Sequence, residues 1–217
     1  MQDDTKRFYD LTAEETAQAW YSQNVLMPTI RDFCSLLPDR PRVLDLGCGA
    51  GYESKRLASI DARVVGVDYS EESIRIARER TPECRFEVLD FRQLDDRFGD
   101  FDGVFACASL IHISPEELPD VLWRIANVLK PGGYLLTIVR DGEGMRETWP
   151  VVEGQKLRRL VYRYKRADLE AACSDLVFVR DGVLDRAQLE SEQIDPDWGC
   201  YIFRSAKPLL EKTTICP

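Results

Sequence analysis

The strongest constraint on this chain is the run Val43-Leu44-Asp45-Leu46-Gly47-Cys48-Gly49-Ala50-Gly51, an apolar strand leading straight into three alternating glycines. A sharp passage from strand to helix needs backbone freedom, and a ligand lying against bare backbone needs side chains out of the way; glycine supplies both. The helix start that follows offers unpaired N–H groups and the positive end of its dipole to a polar or anionic ligand. Taken alone, such a turn also suits a nucleotide- or flavin-binding site or a merely tight loop.

The neighbouring segments continue the alternation of strand and helix. Arg42–Leu46, Arg63–Val67, Arg85–Leu89, Phe101–Ala108 and Tyr134–Val139 read as five strands. Helices are expected from the glycine turn to about Ser59, from a Ser70 cap to about Arg80 with Glu71 and Glu72 favoured by the dipole, and from Pro115 to near Leu129. This pitch implies a parallel doubly wound sheet. Arg166–Ser174 reads as a short helix, and Leu176–Val183 and Gly199–Ser205 as strands that pair antiparallel. Residues 12–37 read as one or two helices, with Thr12 as N-cap, Glu15 completing a capping box and Pro28 dividing the stretch. Residues 140–160 show little periodicity.

Three details narrow the ligand. The glycines are spaced G-x-G-x-G, whereas the dinucleotide fingerprint is G-x-G-x-x-G, and Glu53 follows where a pyrophosphate would be repelled. Asp68 closes the second strand, where a carboxylate can accept from both hydroxyls of a ribose. Asp90 closes the third, followed by Phe91, so an acceptor and an apolar ring stand where an adenine edge and face could lie. All three are at carboxyl ends of parallel strands, where open α/β sheets bind ligands.

VLDLGCGAGYESKRL, VVGVDYS, FEVLDF, FDGVFACASLIHIS and VLKPGGYLLTIV, in that order, resemble the successive motifs of class I S-adenosylmethionine-dependent methyltransferases. The resemblance implies a Rossmann-like, three-layered, seven-stranded sheet, mostly parallel with a reversed C-terminal strand pair. It implies S-adenosyl-L-methionine as cofactor and S-adenosyl-L-homocysteine as product. Asp45 and the loop Gly47, Cys48, Gly49 and Gly51 would then hold the methionine end, Asp68 the ribose, Tyr69 and Asp90 the adenine with the Phe91 backbone N–H, and Ala106 and Ser109 would flank the methionine portion. The DFRQL and ACASLIHIS stretches resemble a bacterial subgroup acting on small molecules. Residues 1–37 would be a helical cap over the active site and 38–217 the methyltransferase domain. Relatives carry a second tyrosine some residues after an N-terminal Tyr-Asp; here Tyr9-Asp10 is present, Thr16 stands at the second position, and Trp20 and Tyr21 are candidate substitutes.

Composition limits the chemistry. A net charge of −9 disfavours nucleic acid and anionic lipid as partners. No apolar run approaches a membrane span, and the acidic N-terminus resembles no leader, so a cytoplasmic protein is expected. Oligomeric state is left open. Seven cysteines without a C-x-x-C pair read as reduced thiols, Cys216 the most exposed, and one histidine leaves no metal site to build.

The acceptor is expected to be a small molecule methylated on O, N or C. His112, just past the fourth strand, is the candidate general base, with a loop-ordering role as the plainer reading. Tyr162 is a candidate substrate contact, and Tyr164 lies in the same segment; packing against the sheet is the plainer reading. Lys156, Arg158, Arg159, Arg163, Lys165 and Arg166 are either a solvated face or an anion site. A nicotinamide oxidoreductase and a non-catalytic cofactor-binding protein are the alternatives.

Overall fold

The computed structural model describes residues 4–185 and 197–208. In chain order its elements are α1 (Thr5–Tyr21), α2 (Met27–Cys34), β1 (Arg42–Leu46), α3 (Tyr52–Ala58), β2 (Arg63–Asp68), α4 (Glu71–Arg80), β3 (Arg85–Val88), β4 (Phe101–Cys107), α5 (Leu118–Val128) and β5 (Leu129–Arg140). Then come β6 (Met145–Thr148), β7 (Val151–Val152), β8 (Gln155–Lys156), β9 (Arg159–Tyr162), α6 (Arg166–Ala172), β10 (Leu176–Asp181) and β11 (Trp198–Ser205).

Seven strands form one sheet in the order β10-β11-β5-β4-β1-β2-β3. β3, β2, β1, β4 and β5 are parallel to their neighbours, whereas β11 is antiparallel to both β5 and β10. The reversal expected at the C-terminal pair is thus carried by β11. Strand alternation builds the three layers. Val43, Val64 and Phe105 face α2 and α3 through Ile30, Phe33 and Leu57. Leu44, Val65, Val104 and Ala106 face the other side, where α5 contributes Val121, Leu122 and Ile125 and α6 contributes Leu169.

The α4 cap forms as expected, the Ser73 N–H donating to Ser70 Oγ. Pro28 lies in the first turn of α2, where its missing N–H costs nothing. Three expectations need correction. Thr12 is not a cap: α1 begins at Thr5, and the Thr12 hydroxyl donates to the Phe8 carbonyl within the helix. β5 begins at Leu129, before the Pro-Gly-Gly turn, and pairs Leu129 with Phe101 ahead of a register shift. Residues 140–160 are ordered as a nested hairpin: β6 pairs β9, β7 pairs β8, and Glu153-Gly154 makes the turn with both φ angles positive (48° and 75°). Two positive φ angles mark the turn whose twist matches paired strands. Cys216 lies outside the described residues.

Candidate active site

The carboxyl ends of the parallel strands open into two adjoining chambers of about 280 and 620 Å³ that share Tyr9, Thr16, Gly47, Tyr52, Cys107 and Ala108 as wall residues. The glycine loop forms the floor between them. Gly47 has φ +71°, and a Cβ there would sit 2.5 Å from the Ser109 Cβ, so this position excludes a side chain on conformation and on space. The Gly49 N–H donates to Asp68 Oδ2 at 3.0 Å and the Ser70 N–H to Oδ1 at 2.8 Å, which fixes the carboxylate plane at the end of β2. Each oxygen keeps acceptor capacity toward the cleft. Burial pushes the Asp68 carboxyl up to about 6, with the two N–H donors pulling against that shift.

The smaller chamber brings together Gly47, Gly49, Asp68, Tyr69, Asp90, Phe91, Ser109 and His112. Asp90 Oδ1 accepts the Arg92 N–H, and the Arg92 guanidinium lies beside it. Ser109 Oγ is buried with no hydrogen-bond partner among the described residues, which leaves a donor for a ligand to satisfy. Asp45 lines the larger chamber and accepts the Ser54 hydroxyl at 2.6 Å; burial pushes its carboxyl up to about 7.

Other expected residues lie elsewhere. Cys48 is buried among Ile74, Ala77 and Phe86, and Gly51 begins α3 against Ala77 and Phe86; neither lines a chamber. Ala106 is fully buried on the α5 side, and Cys107 and Ala108 take its expected place on the wall. Tyr162 is displaced by strand parity. In the β6–β9 ladder it opposes Met145, whereas Arg146, Thr148, Arg159 and Val161 line the larger chamber. Tyr162 packs against the main core, and Tyr164 is buried, donating to the Ile113 carbonyl.

α1 crosses the cleft mouth. The Ser70 hydroxyl donates to Asp10 at 2.7 Å, and the Tyr21 hydroxyl to the Ala50 carbonyl at 2.7 Å. Arg56 donates to the carbonyls of Trp20 and Gln23 at the helix end. Thr16 lines both chambers and Trp20 the larger; Tyr21 reaches the glycine loop from outside.

The polar chain at the junction was not assembled from the sequence. His112 Nδ1 lies 3.0 Å from the Leu160 carbonyl, which can only accept, so a neutral ring carries its proton there and leaves Nε2 bare. Nε2 lies 2.9 Å from Tyr9 Oη, and Arg159 Nη2 donates to the same oxygen at 3.0 Å. The Tyr9 hydroxyl therefore donates its hydrogen bond to His112 Nε2. The signal in the sequence was the Tyr9-Asp10 pair, whose partners are 103 residues away (His112) and 150 away (Arg159).

Residues 43–133 match the family model described as methyltransferase domain. Over that span the chain carries a methyltransferase domain. Among similar proteins, the trans-aconitate 2-methyltransferase of Variovorax paradoxus is 39% identical over 107 residues, 48% of this chain and 40% of that protein. The ubiquinone biosynthesis O-methyltransferase of Xanthomonas campestris pv. campestris is 36% identical over 126 residues, 55% of this chain and 52% of that one. The chain thus spans about half the length of these relatives. The magnesium protoporphyrin IX methyltransferase of Synechocystis PCC 6803, solved with bound SAM, superposes with a TM-score of 0.68 at 19% identity, covering 96% of this chain and 99% of that one. That likeness establishes the methyltransferase fold. Among the described residues no helix is long and apolar enough to cross a membrane, and no cluster of His, Cys, Asp or Glu could hold a metal.

Proposed function

We propose that the chain transfers a methyl group from S-adenosylmethionine to a hydroxyl oxygen of a small molecule. The observation that carries this reading is the Tyr9–His112 pair at the junction of the smaller chamber and the larger one. The residues fit the cofactor: Asp68 presents free acceptor sites for two ribose hydroxyls, Ser109 Oγ is an orphaned buried donor, and Gly47 leaves bare backbone. Tyr69, Asp90 and Phe91 would receive the adenine, and Asp45, Gly47 and Gly49 the methionine end. α1 is the cap that shields the junction from water, and 38–217 the transferase domain. The names of the relatives, which specify trans-aconitate and ubiquinone biosynthesis, support a small acceptor.

When bound, the cofactor supplies an electrophilic methyl group; the protein aligns an oxygen behind it, and alignment alone is worth roughly 7–11 kcal/mol. Tyr9 Oη has one donor and two acceptor sites. It donates to His112 and accepts from Arg159, which leaves one site for the acceptor's hydroxyl. That hydroxyl gives its proton to Tyr9 as the Tyr9 proton passes to His112 Nε2, forming an imidazolium held by the Leu160 carbonyl. Burial raises the Tyr9 phenol above its ordinary range, with Arg159 opposing, so it enters the step protonated.

The direct experiment is incubation with methyl-labelled S-adenosylmethionine and a panel of small hydroxylated compounds. Label in an O-methyl product, with one equivalent of S-adenosylhomocysteine, is expected; transfer to nitrogen or carbon alone would contradict the proton route.

Two expectations concern the cofactor. Asp68→Ala should weaken S-adenosylhomocysteine binding by about 1.5–3 kcal/mol, the scale of hydrogen bonds to a charged group; unchanged calorimetric affinity would misplace the ribose. The same carboxylate sets a pH dependence. Its pKa in the empty site is about 6, so protonation competes with ribose binding below that pH and is negligible above it. Affinity should fall about tenfold between pH 7.5 and 5, and Asp68→Asn should flatten the profile.

A further inference from the structure

We propose that the larger chamber takes an acceptor that is itself an acid, with an apolar body and a carboxylate held by Arg159, Thr148 and Arg146 on the β6–β9 hairpin. The inference rests on the methyl-transfer reading and names its substrate class.

Hairpin register is the first reason. Arg146 opposes Val161 and Thr148 opposes Arg159, so both basic residues and the threonine line the chamber together. Thr148 and Arg159 are a direct cross-strand pair, and each carries a buried polar atom without a partner among the described residues: Thr148 Oγ1 and Arg159 Nε. Two neighbouring donor atoms, each buried and unmet, are costly unless a ligand completes them. A carboxylate is the acceptor-only group whose paired oxygens suit a guanidinium edge beside a hydroxyl.

Charge is the second reason. The chain is acidic overall at −9, yet Arg140, Arg146, Arg159 and Arg163 line this one chamber. Arg163 is matched by Asp197 at 2.8 Å, and Arg140 lies over the Trp198 ring. Arg159 lies over the Phe8 ring and donates to Tyr9, with no carboxylate beside it among the described residues; Arg146 has no ion pair among them either. The acids of the same chamber are committed elsewhere, Asp45 to Ser54 and Glu53 to Arg56. Much of the remaining wall is apolar, with Trp20, Leu26, Ile111, Ile138 and Val161 lining the space. They ask for a hydrocarbon or aromatic body.

The test uses the full chain saturated with S-adenosylhomocysteine. Benzoate, cinnamate and 4-phenylbutyrate are each titrated beside the matching amide, by calorimetry and ligand-observed NMR. At least one acid should bind about tenfold or more tightly than its amide, the scale of a lost charge-assisted contact. Arg146→Gln and Thr148→Val should each narrow that preference, and the pair should narrow it further, Arg159 holding what remains, while S-adenosylhomocysteine affinity stays within about twofold because neither residue lines the smaller chamber. Acids and amides binding equally, no acid binding, or variants that keep the preference would overturn the inference. A chain that fails to bind S-adenosylhomocysteine at all would instead overturn the methyl-transfer reading beneath it.

Discussion

Tyr9→Phe should lower kcat for O-methyl transfer by about 10²–10⁴-fold, the range of a positioned proton acceptor, with S-adenosylhomocysteine affinity unchanged within about twofold. The substitution keeps the ring against Phe8 and removes the oxygen that joins His112 to Arg159. His112→Phe should cost a similar factor. The double variant should be little worse than either single one, because a proton passed through two groups is lost when either is missing. The dependence should soften with acceptors of low hydroxyl pKa, which need less help. A Tyr9→Phe enzyme with wild-type kcat, and the same response to acceptor pKa as the parent, would remove the pair from the mechanism and leave His112 as a loop-ordering imidazole on Leu160.

The second large effect concerns the cap. Arg56 and Glu53 are buried together in α3, Nη1 to Oε1 at 3.2 Å, and the same guanidinium holds the carbonyls of Trp20 and Gln23. One side chain thus closes the C-terminal end of α1 onto the helix that follows the glycine loop. Burial pushes the Glu53 carboxyl up, and the Arg56 guanidinium beside it pulls against that shift. Arg56→Met strips the partner from a buried acid and leaves two carbonyls unmet. A loss of about 3–5 kcal/mol is expected, or roughly 10 °C in the melting temperature for a chain of this length. Adding Glu53→Gln should restore part of it by removing the stranded acid. A melting temperature within about 2 °C of the parent would show that α1 is held by its other ties, Asp10 to Ser70 and Tyr21 to Ala50.

The sheet was legible because its signals are local and redundant. Arg42–Leu46 and Arg63–Asp68 are apolar runs bounded by turns, and Ser70 followed by Glu71 and Glu72 marks a helix start by hydrogen bonding and dipole alike. Asp68 and Asp90 could be placed at the cleft because strand ends are where such sheets are open. The misplaced residues are those decided by parity or by distant partners. Ala106 and Cys107 differ by one position, and that one step exchanges core for cleft. Tyr162 and Val161 exchange roles for the same reason. The hairpin itself escaped notice because its turn is Glu153-Gly154, outside the usual Asn-Gly or Asp-Gly signal, and because Arg159 and Arg163 read as part of a solvated basic run. Thr12-x-x-Glu15 imitated a helix start inside a longer helix, which begins at Thr5. No spacing rule links Tyr9 to His112 and Arg159; only the folded chain brings them into one hydrogen-bonded line.

A bare-backbone floor and two acids at strand ends are held to grip an adenosyl ligand, and calorimetric titration of the full chain with S-adenosylhomocysteine at pH 7.5 tests this most directly. One ligand per chain is predicted, with binding sharply weakened in Asp68→Ala and untouched in Arg146→Gln. Absence of heat at millimolar ligand, or saturation by NAD in its place, would contradict it.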